Sequence, residues 1–578
     1  MFDIRKNIFK AIIYLSFIFL ATNLFYLQVI KHSFYKQRSI KNRIRIIPLP
    51  APRGVIYDRS GNILVDNRIS FDLAIIGQEV EDLDITLDKL SKLSGIPRKD
   101  LYKNYRKNYI APFTPTIVAP DMDKHKAFFL DENIASTPGV ILWSNPRRDY
   151  KLSEATSHIV GYIGKMDEAE YKTLKGYGYR MREYVGKTGI EEYYNSYLRG
   201  EDGGIQVEVN ARSRQVKQLG YKPPIKGKDI FLTIDAPLQE MVHMLLKDEH
   251  GAFIVMNAKS GEILALASSP SFDPNVFVDP NKDKQRLALL KAPAYPMINR
   301  AISATYPPGS TFKVVVAASA LASGKINKNT EYNCSGVYRL GNTEFKCWKK
   351  AGHGNQSVID ALTHSCNVFF YNTARAIGPD AISQYASKFG LGEPTHIDLP
   401  WEASALVPSP LWKRFNRGEP WRPGDTLNFA IGQGYLLVTP IQVLKMITLI
   451  ANEGFAPRPY LVGKIEELNL QGKTHNKITI VQEKDEFNII KKGLFNVVNA
   501  STGSGQRAKV EDLAISGKTG TAQVHGANEH AWFTGYLPFK DPQISFVIFL
   551  EHGGSGGRKP ADMARVLCKY LQEKEYIE

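Results

Sequence analysis

Between Lys10 and Lys31 the chain runs twenty residues, AIIYLSFIFLATNLFYLQVI (Ala11 to Ile30), without one charged side chain. In hydrocarbon every backbone amide must be bonded within the membrane-crossing segment, so such a run crosses a bilayer only as a helix. As a helix it would be about 30 Å long, matching a bilayer core. A cleaved leader and a buried core helix are the competing readings. The run exceeds the apolar core of a typical leader, and no convincing small-x-small cleavage site accompanies it. The expectation is an uncleaved anchor over residues 11–30 behind a tail of residues 1–10. The flanking charges work against the orientation such an anchor needs to carry an exported body: Arg5, Lys6 and Lys10 precede it, whereas Lys31, Lys36, Arg38, Lys41, Arg43 and Arg45 lie just beyond it. Taken literally, the positive-inside count opposes export, although large trailing domains override it.

The chain beyond the anchor has ample material for cores. Of 578 residues, 43% are hydrophobic and 23% charged, which excludes a disordered chain. The formal charge of +16 suits an anionic partner without naming one. Nucleic-acid binding has no supporting fold motif. The four cysteines, Cys334, Cys347, Cys366 and Cys568, are too few for a disulfide scaffold.

PLPAPRGVIYDRSGNILVDN (Pro48 to Asn67) reads as an extended approach to a strand, a turn at Ser60-Gly61-Asn62 and a returning strand. Amphipathic stretches such as Asp84 to Leu93 and the alternating Ile205 to Ala211 come next, with no nucleophile, metal or phosphate signature. Residues 31–228 are therefore expected to form a non-catalytic spacer or docking domain. The linker-like Tyr221 to Lys228 leads into DIFLTID, GAFIVMN and GEILALASS, which read as strands around a helix from about Pro237 to Leu246. A second core, residues 229–578, begins there.

Within it, YPPGSTFKVVVAASAL (Tyr306 to Leu321) sets two prolines and a glycine before an apolar helix that stops near Gly324. Ser310 falls at the helix start, with Lys313 one turn on and on the same face. Burial would depress the lysine and let its neutral amine take the serine proton. S-x-x-K alone is common by chance and equally describes an N-cap serine with an incidental lysine. Two further elements in order change that: Ser365-Cys366-Asn367, then Lys518-Thr519-Gly520-Thr521. Together they form the triple signature of penicillin-recognising serine acyltransferases. Ser365 can relay the proton to a leaving amine, and Asn367 can bind substrate backbone or hold Lys313. Lys518 is expected to offer charge to a terminal carboxylate, Gly520 to let substrate backbone approach, and the N–H groups of Ser310 and Thr521 to form an oxyanion hole. Gly186-Lys187-Thr188-Gly189 repeats the last motif, but it precedes the nucleophile and leads into a helical pattern; it reads as a structural turn.

On these residues the chain resembles a class B penicillin-binding protein. The resemblance extends along nearly the whole chain, through RGVIYDRSGNIL (Arg53 to Leu64), GKTGIE (Gly186 to Glu191), the opening Gly251 to Asn275, YPPGSTFK, PGDTLNFAIGQG (Pro423 to Gly434) and GKTGTAQ (Gly517 to Gln523). Within the class it is most similar to the elongation-specific penicillin-binding protein 2 type, chiefly through CWKKAGHG (Cys347 to Gly354). The resemblance implies an α+β fold: a transmembrane helix, an elongated mixed pedestal, and an antiparallel sheet flanked by helices. It implies a short cytoplasmic tail, one span of the bacterial inner membrane and a periplasmic body. The implied activity is D,D-transpeptidation. Ser310 attacks a stem peptide ending in D-Ala-D-Ala, D-Ala leaves, and an amine of a neighbouring stem resolves the acyl-enzyme; beta-lactams mimic the donor. The implied partners are the rod-system glycosyltransferase and its periplasmic scaffold protein, and no organic cofactor is implied.

Cys334, Cys347, His353 and Cys366 form the pattern C-x12-C-x5-H-x12-C around the second motif. Spacing alone leaves open a tetrahedral structural zinc, a Cys334 to Cys347 disulfide, or buried thiols. Elongation-type relatives can carry zinc ligands here, some with aspartate in place of cysteine, and that resemblance favours the metal. Cys568, in an expected helix from Ala561 to Lys574, reads as core. The rival functions are a D,D-carboxypeptidase or serine beta-lactamase with the same acyl-enzyme, and a non-catalytic activator of a glycosyltransferase. The intact triple signature argues against idleness, and the anchor with its large spacer favours the transpeptidase.

Overall fold

The computed structural model describes residues 2–577 except 113, 135–136, 182, 211–214, 467, 471–477, 481–483 and 525. An apolar helix, Phe2–Phe25, widens into a π turn at Tyr26–Ile30, and together the helical segment Asp3–Ile30 is long and apolar enough to cross a membrane. The chain divides into two compact units. The first holds Met1–Pro52, Arg68–Arg147 and Gly200–Lys226; the second holds Arg53–Asn67, Arg148–Arg199 and Gly227–Glu578. The spacer expected as one block over residues 31–228 is thus divided between both units.

In the first unit, Gly203–Val209 lies between Ile44–Leu49 and Gln215–Lys222 in a three-stranded antiparallel sheet. A separate small core joins Leu87 and Leu90 of the helix Leu83–Ser94, Leu101 of Arg98–Asn108 and Leu130 of Lys124–Ile134 to strand residues Leu73 and Val118. Asp82 caps the first of these helices by accepting from the N–H groups of Asp84 and Ile85.

The second unit is built on a five-stranded antiparallel sheet: β1 Gly251–Asn257, β2 Ile263–Ser269, β3 Ser516–Val524, β4 Ala527–Leu537 and β5 Ile544–Leu550, in the order β2, β1, β5, β4, β3. Both faces are covered, so β1 alternates between two cores: Ala252, Ile254 and Met256 face one, Phe253 and Val255 the other. Helices α1 (Ala236–Leu246) and α7 (Lys559–Glu573) line the second core. On the first lie α2 (Lys313–Ala322), α3 (Val358–Thr363), α4 (Asn367–Lys388), α5 (Pro440–Ala451) and part of α6 (Lys484–Asn499). Every residue of α5 is buried, and its apolar composition on all sides fits that position. The sheet ends at β3, whose outer edge makes no strand pair among the described residues.

The Gly186-Lys187-Thr188-Gly189 repeat has the structural role its context implied. It turns the chain into the short helix Gly189–Tyr193, which buries Glu191 between Arg53 (2.6 Å) and Arg148 (2.5 Å). Burial alone would raise this carboxyl, but the Arg148 and Arg53 guanidiniums outweigh it and hold the pKa below the usual value.

Candidate active site

Ser310 lies in a tight turn, Gly309–Phe312, that feeds α2, one turn short of the α-helix proper. Proline at 307 and 308 removes two backbone donors, and the carbonyls of this loop find partners elsewhere. Trp532 Nε1 donates to Pro307 O at 3.0 Å, and Gly309 N donates to Gly432 O at 3.0 Å. Tyr306 and Val438 exchange backbone bonds of 2.8 and 2.9 Å. Gly309 has φ +55°, and a Cβ there would stand 2.6 Å from Thr521 O, so only glycine suits a turn packed this closely on β3.

Lys313 is fully buried. Its Nζ donates to Asn367 Oδ1 at 2.6 Å, to Ser365 O at 2.8 Å and to Ser365 Oγ at 3.3 Å. Burial depresses its pKa to about 8, against a weaker opposing pull from the nearby thiols. The sequence pointed to a bond between Lys313 and Ser310; among the described hydrogen bonds Lys313 makes none with that hydroxyl. Its donors are directed to the second motif instead. Asn367 is held in turn by its Nδ2, which donates to Lys346 O at 3.2 Å. Ser365 takes φ +54°, a strained conformation for a residue with a side chain, of the kind a surrounding network must impose.

Lys518, on β3, is also fully buried and donates to Ser365 Oγ at 2.9 Å and to Thr519 O at 3.0 Å. Burial first, and then the Lys313 charge, push its pKa well below the ordinary lysine value. The charge expected at Lys518 for a terminal carboxylate is therefore opposed by its surroundings. Gly520 has a packing role beside the expected one. A Cβ there would meet Thr311 Cγ2 at 2.8 Å and Pro308 O and Trp532 Cβ at 2.9 Å, so the glycine is required by the nucleophile turn itself. Thr519 is buried, Thr521 half-buried, and Thr521 Oγ1 accepts from Gly556 N at 3.4 Å.

The two lysines thus converge on one hydroxyl. With Ser365 Oγ accepting from both, its own proton is left to donate outward, which fits a proton relay. Sequence reasoning missed Ser504, whose Oγ lies 3.1 Å from Thr519 Oγ1 and whose N–H donates to Thr363 O at 3.2 Å. It also missed Trp532 as the clamp on Pro307. The glycine-rich runs STGSG (Ser501 to Gly505) and GGSGG (Gly553 to Gly557) were the available signal for the loops that close on β3.

Beside this network the ligand atoms of Cys334, Cys347, His353 and Cys366 all lie within 4.8 Å of one another. His353 Nδ1 is 3.6 Å from both Cys334 Sγ and Cys347 Sγ. All three thiols are buried and free of disulfides. Three thiols and an imidazole converging at this range match the donor set of a four-coordinate structural ion, whose ligand atoms stand roughly 3 to 4 Å apart. Cys366 precedes α4 immediately and is flanked by Ser365 and Asn367, so the cluster and the hydrogen-bond network of the two lysines meet within three consecutive residues. Cys568 is buried in the second core, away from this group.

Residues 251–569 match the penicillin binding protein transpeptidase domain, and residues 48–232 the penicillin-binding protein dimerisation domain. The chain belongs to the penicillin-binding transpeptidase family. Among curated penicillin-binding transpeptidases it is 35% identical to the peptidoglycan D,D-transpeptidase MrdA of Haemophilus influenzae, over 96% of this chain and 89% of that protein. Its backbone superposes with a TM-score of 0.83 on a structure titled as the complex between penicillin-binding protein PBP2 and MreC from Helicobacter pylori, at 30% identity, covering 92% of this chain and 100% of that one. A structure titled as the structural coordination of polymerization and crosslinking by a peptidoglycan synthase complex matches with a TM-score of 0.74 and 29% identity, over 98% of this chain and 97% of that one.

Proposed function

We propose that this chain is the peptidoglycan D,D-transpeptidase of cell elongation, with Ser310 as the acylated residue. The observation that carries the assignment of roles is the convergence of Lys313 and Lys518 on Ser365 Oγ beside the Ser310 turn. The neutral amine of Lys313 takes the Ser310 proton as Oγ attacks the penultimate carbonyl of a stem peptide ending in D-Ala-D-Ala. Backbone N–H groups of Ser310 and Thr521 receive the oxyanion, and Ser365 passes its proton to the departing D-Ala while taking the one that Lys313 removed from Ser310. The hydroxyls of Thr519 and Thr521 receive the donor carboxylate, and the unpaired outer edge of β3 accepts the donor backbone in extended form. An acceptor amine then takes the acyl group, forming the cross-link and freeing Ser310. Beta-lactams enter the same path and stop at the ester.

Cys334, Cys347, His353 and Cys366 hold a structural zinc in this reading. The ion would fix the backbone around Cys366 and supply no chemistry to the acyl transfer. The helix over residues 3–30 serves as a single inner-membrane anchor with the catalytic body in the periplasm, and the neighbours titled as PBP2 with MreC and as a peptidoglycan synthase complex support a scaffold protein and a glycosyltransferase as partners. The deciding experiment is mass spectrometry of the purified chain after exposure to a penicillin. One covalent adduct on Ser310, lost in Ser310→Ala, is expected; an adduct on any other residue overturns the assignment. With a competent donor and acceptor, cross-linked product exceeds trimmed donor, whereas release of D-Ala without cross-links identifies a carboxypeptidase.

A further inference from the structure

One stretch of charge has no part in the acyl transfer. No acidic residue occurs between Asp3 and Asp58, whereas Lys31, Lys36, Arg38, Lys41, Arg43 and Arg45 follow the apolar span within fifteen residues. The chain passes from the span through the π turn Tyr26–Ile30 directly into the helix His32–Arg43. Residues 31–38 are all exposed. Arg43 reaches Glu208 at 3.5 Å, but Lys31, Lys36 and Arg38 meet no carboxylate among the described residues.

Such a helix lacks the usual supports. At 12 residues it is marginal on its own in water, like charges weaken it, and its first two turns pack on no core. What neutralises and orders it therefore lies outside the chain, and its position names the source. At 1.5 Å per residue Arg38 stands about 12 Å past Ile30, next to a headgroup layer about 5 to 7 Å thick whose field reaches about 8 Å further at physiological salt. Phe34 carries a cation on either side, Lys31 Nζ 5.8 Å and Arg38 Cζ 4.6 Å from its ring centroid. Tyr26 and Tyr35, both exposed, flank it in sequence, and tyrosine is a residue type that settles at the membrane–water boundary.

We infer that Lys31, Lys36 and Arg38 bind the phosphodiester headgroups of anionic phospholipids and order the helix His32–Arg43 on the leaflet from which it emerges. The Arg38 fork holds two phosphate oxygens, and the lysines act as point charges. Covalent continuity with the span and a run of cations without acids single out this occupant. The cations that oppose the positive-inside count thereby gain a use on the side where they stand. The inference goes beyond the transpeptidase reading and needs only the span.

The test uses the full chain in nanodiscs of phosphatidylcholine, with or without phosphatidylglycerol. A basic side chain at an anionic surface contributes about fivefold in binding, so amide hydrogen exchange over residues 32–43 should slow at least about tenfold when phosphatidylglycerol is present. Raising the salt should shrink that gain. The triple variant Lys31→Gln, Lys36→Gln, Arg38→Gln should lose most of the gain, and the phosphatidylglycerol that co-purifies with it in detergent should fall at least about threefold. Replacing Lys99, Lys103 and Arg106, exposed on the helix Arg98–Asn108, by Gln removes the same charge and should change neither reading. Glycerol phosphate added to phosphatidylcholine discs should give no protection, which separates a lipid surface from dissolved phosphate. Equal exchange of the wild type in the two bilayers overturns the inference. So do equal losses in the two variants, protection by glycerol phosphate, and protection that appears only when a glycosyltransferase partner is added. Penicillin labelling of Ser310 stays at the wild-type rate in both variants; its absence in the wild type is a separate failure, that of the transpeptidase reading.

Discussion

Asn367 Oδ1 accepts from Lys313 Nζ across 2.6 Å, so the asparagine of the second motif positions the base of the first. Lys313 sits where its amine can be neutral, and Asn367 aims it without competing for its proton. Lys313→Ala is expected to slow penicillin acylation of Ser310 by about 10²- to 10⁴-fold, the usual worth of a positioned base. Asn367→Asp replaces the neutral acceptor with a carboxylate that pairs with Lys313 and favours its charged form. Stopped-flow acylation should show that variant slower at neutral pH and recovering toward higher pH.

The same geometry fixes a pH profile. A lysine depressed to about 8 is mostly protonated below that value and so unable to take a proton. The acylation rate constant should rise about tenfold per pH unit up to pH 8 and level off above it. The check is a pH series with a beta-lactam whose own ionisation is complete throughout. A flat profile between pH 6 and 8 would remove Lys313 from the role of base.

Gly520 offers a packing test. Gly520→Ala sets a methyl carbon within 2.9 Å of Pro308 O and Trp532 Cβ. The nucleophile turn must move, and overpacking of this kind costs about 1 to 3 kcal/mol. Acylation should fall by at least tenfold while β3 stays in the sheet, measured by labelling beside circular dichroism.

How much of this was legible from residues alone depended on whether the information was local. The helix of residues 236–246 and the turn at Gly186 arise from period, caps and glycine placement, each contained in a dozen residues. The motif order gave the nucleophile and its partners because their chemistry is written in residue type. The direction of Lys313, the masked charge of Lys518 and the packing role of Gly520 were not legible, since each depends on groups brought in from distant segments: Ser365, the surrounding apolar wall, and Trp532. The division of the spacer between two units has the same origin, because Glu191 joins Arg53 and Arg148 from three separate stretches.

That buried trio gives a stability prediction. Glu191→Gln leaves two guanidiniums buried without a counter-charge, and breaking a buried pair from one side costs about 3 to 5 kcal/mol. Arg148 has the more to lose, since it is 2% exposed and its Nη2 already lacks a described partner. The denaturant midpoint of the catalytic body should drop accordingly, with residual folded protein still labelled on Ser310. Unchanged stability in Glu191→Gln would show that the trio is dispensable to the fold.

The metal reading is the last and joins stability to activity. Cys366 stands between Ser365, which bonds both lysines, and Asn367, which bonds Lys313, so an ion on Cys366 Sγ would restrain the backbone that aims both neighbours. Purified without chelator, the protein is expected to carry about one zinc per chain by elemental analysis, with Cys334, Cys347 and Cys366 protected from thiol reagents. Cys347→Ser and His353→Ala should lose the zinc, lower the thermal midpoint and slow acylation together. Cys568→Ala opens a small cavity in the second core, so it should lower the midpoint modestly while keeping the zinc and the acylation rate. Extraction with a strong chelator should reproduce the first pattern in the wild type, and restored zinc should reverse it. Substoichiometric zinc together with a Cys334 to Cys347 disulfide would replace the metal by the oxidised form.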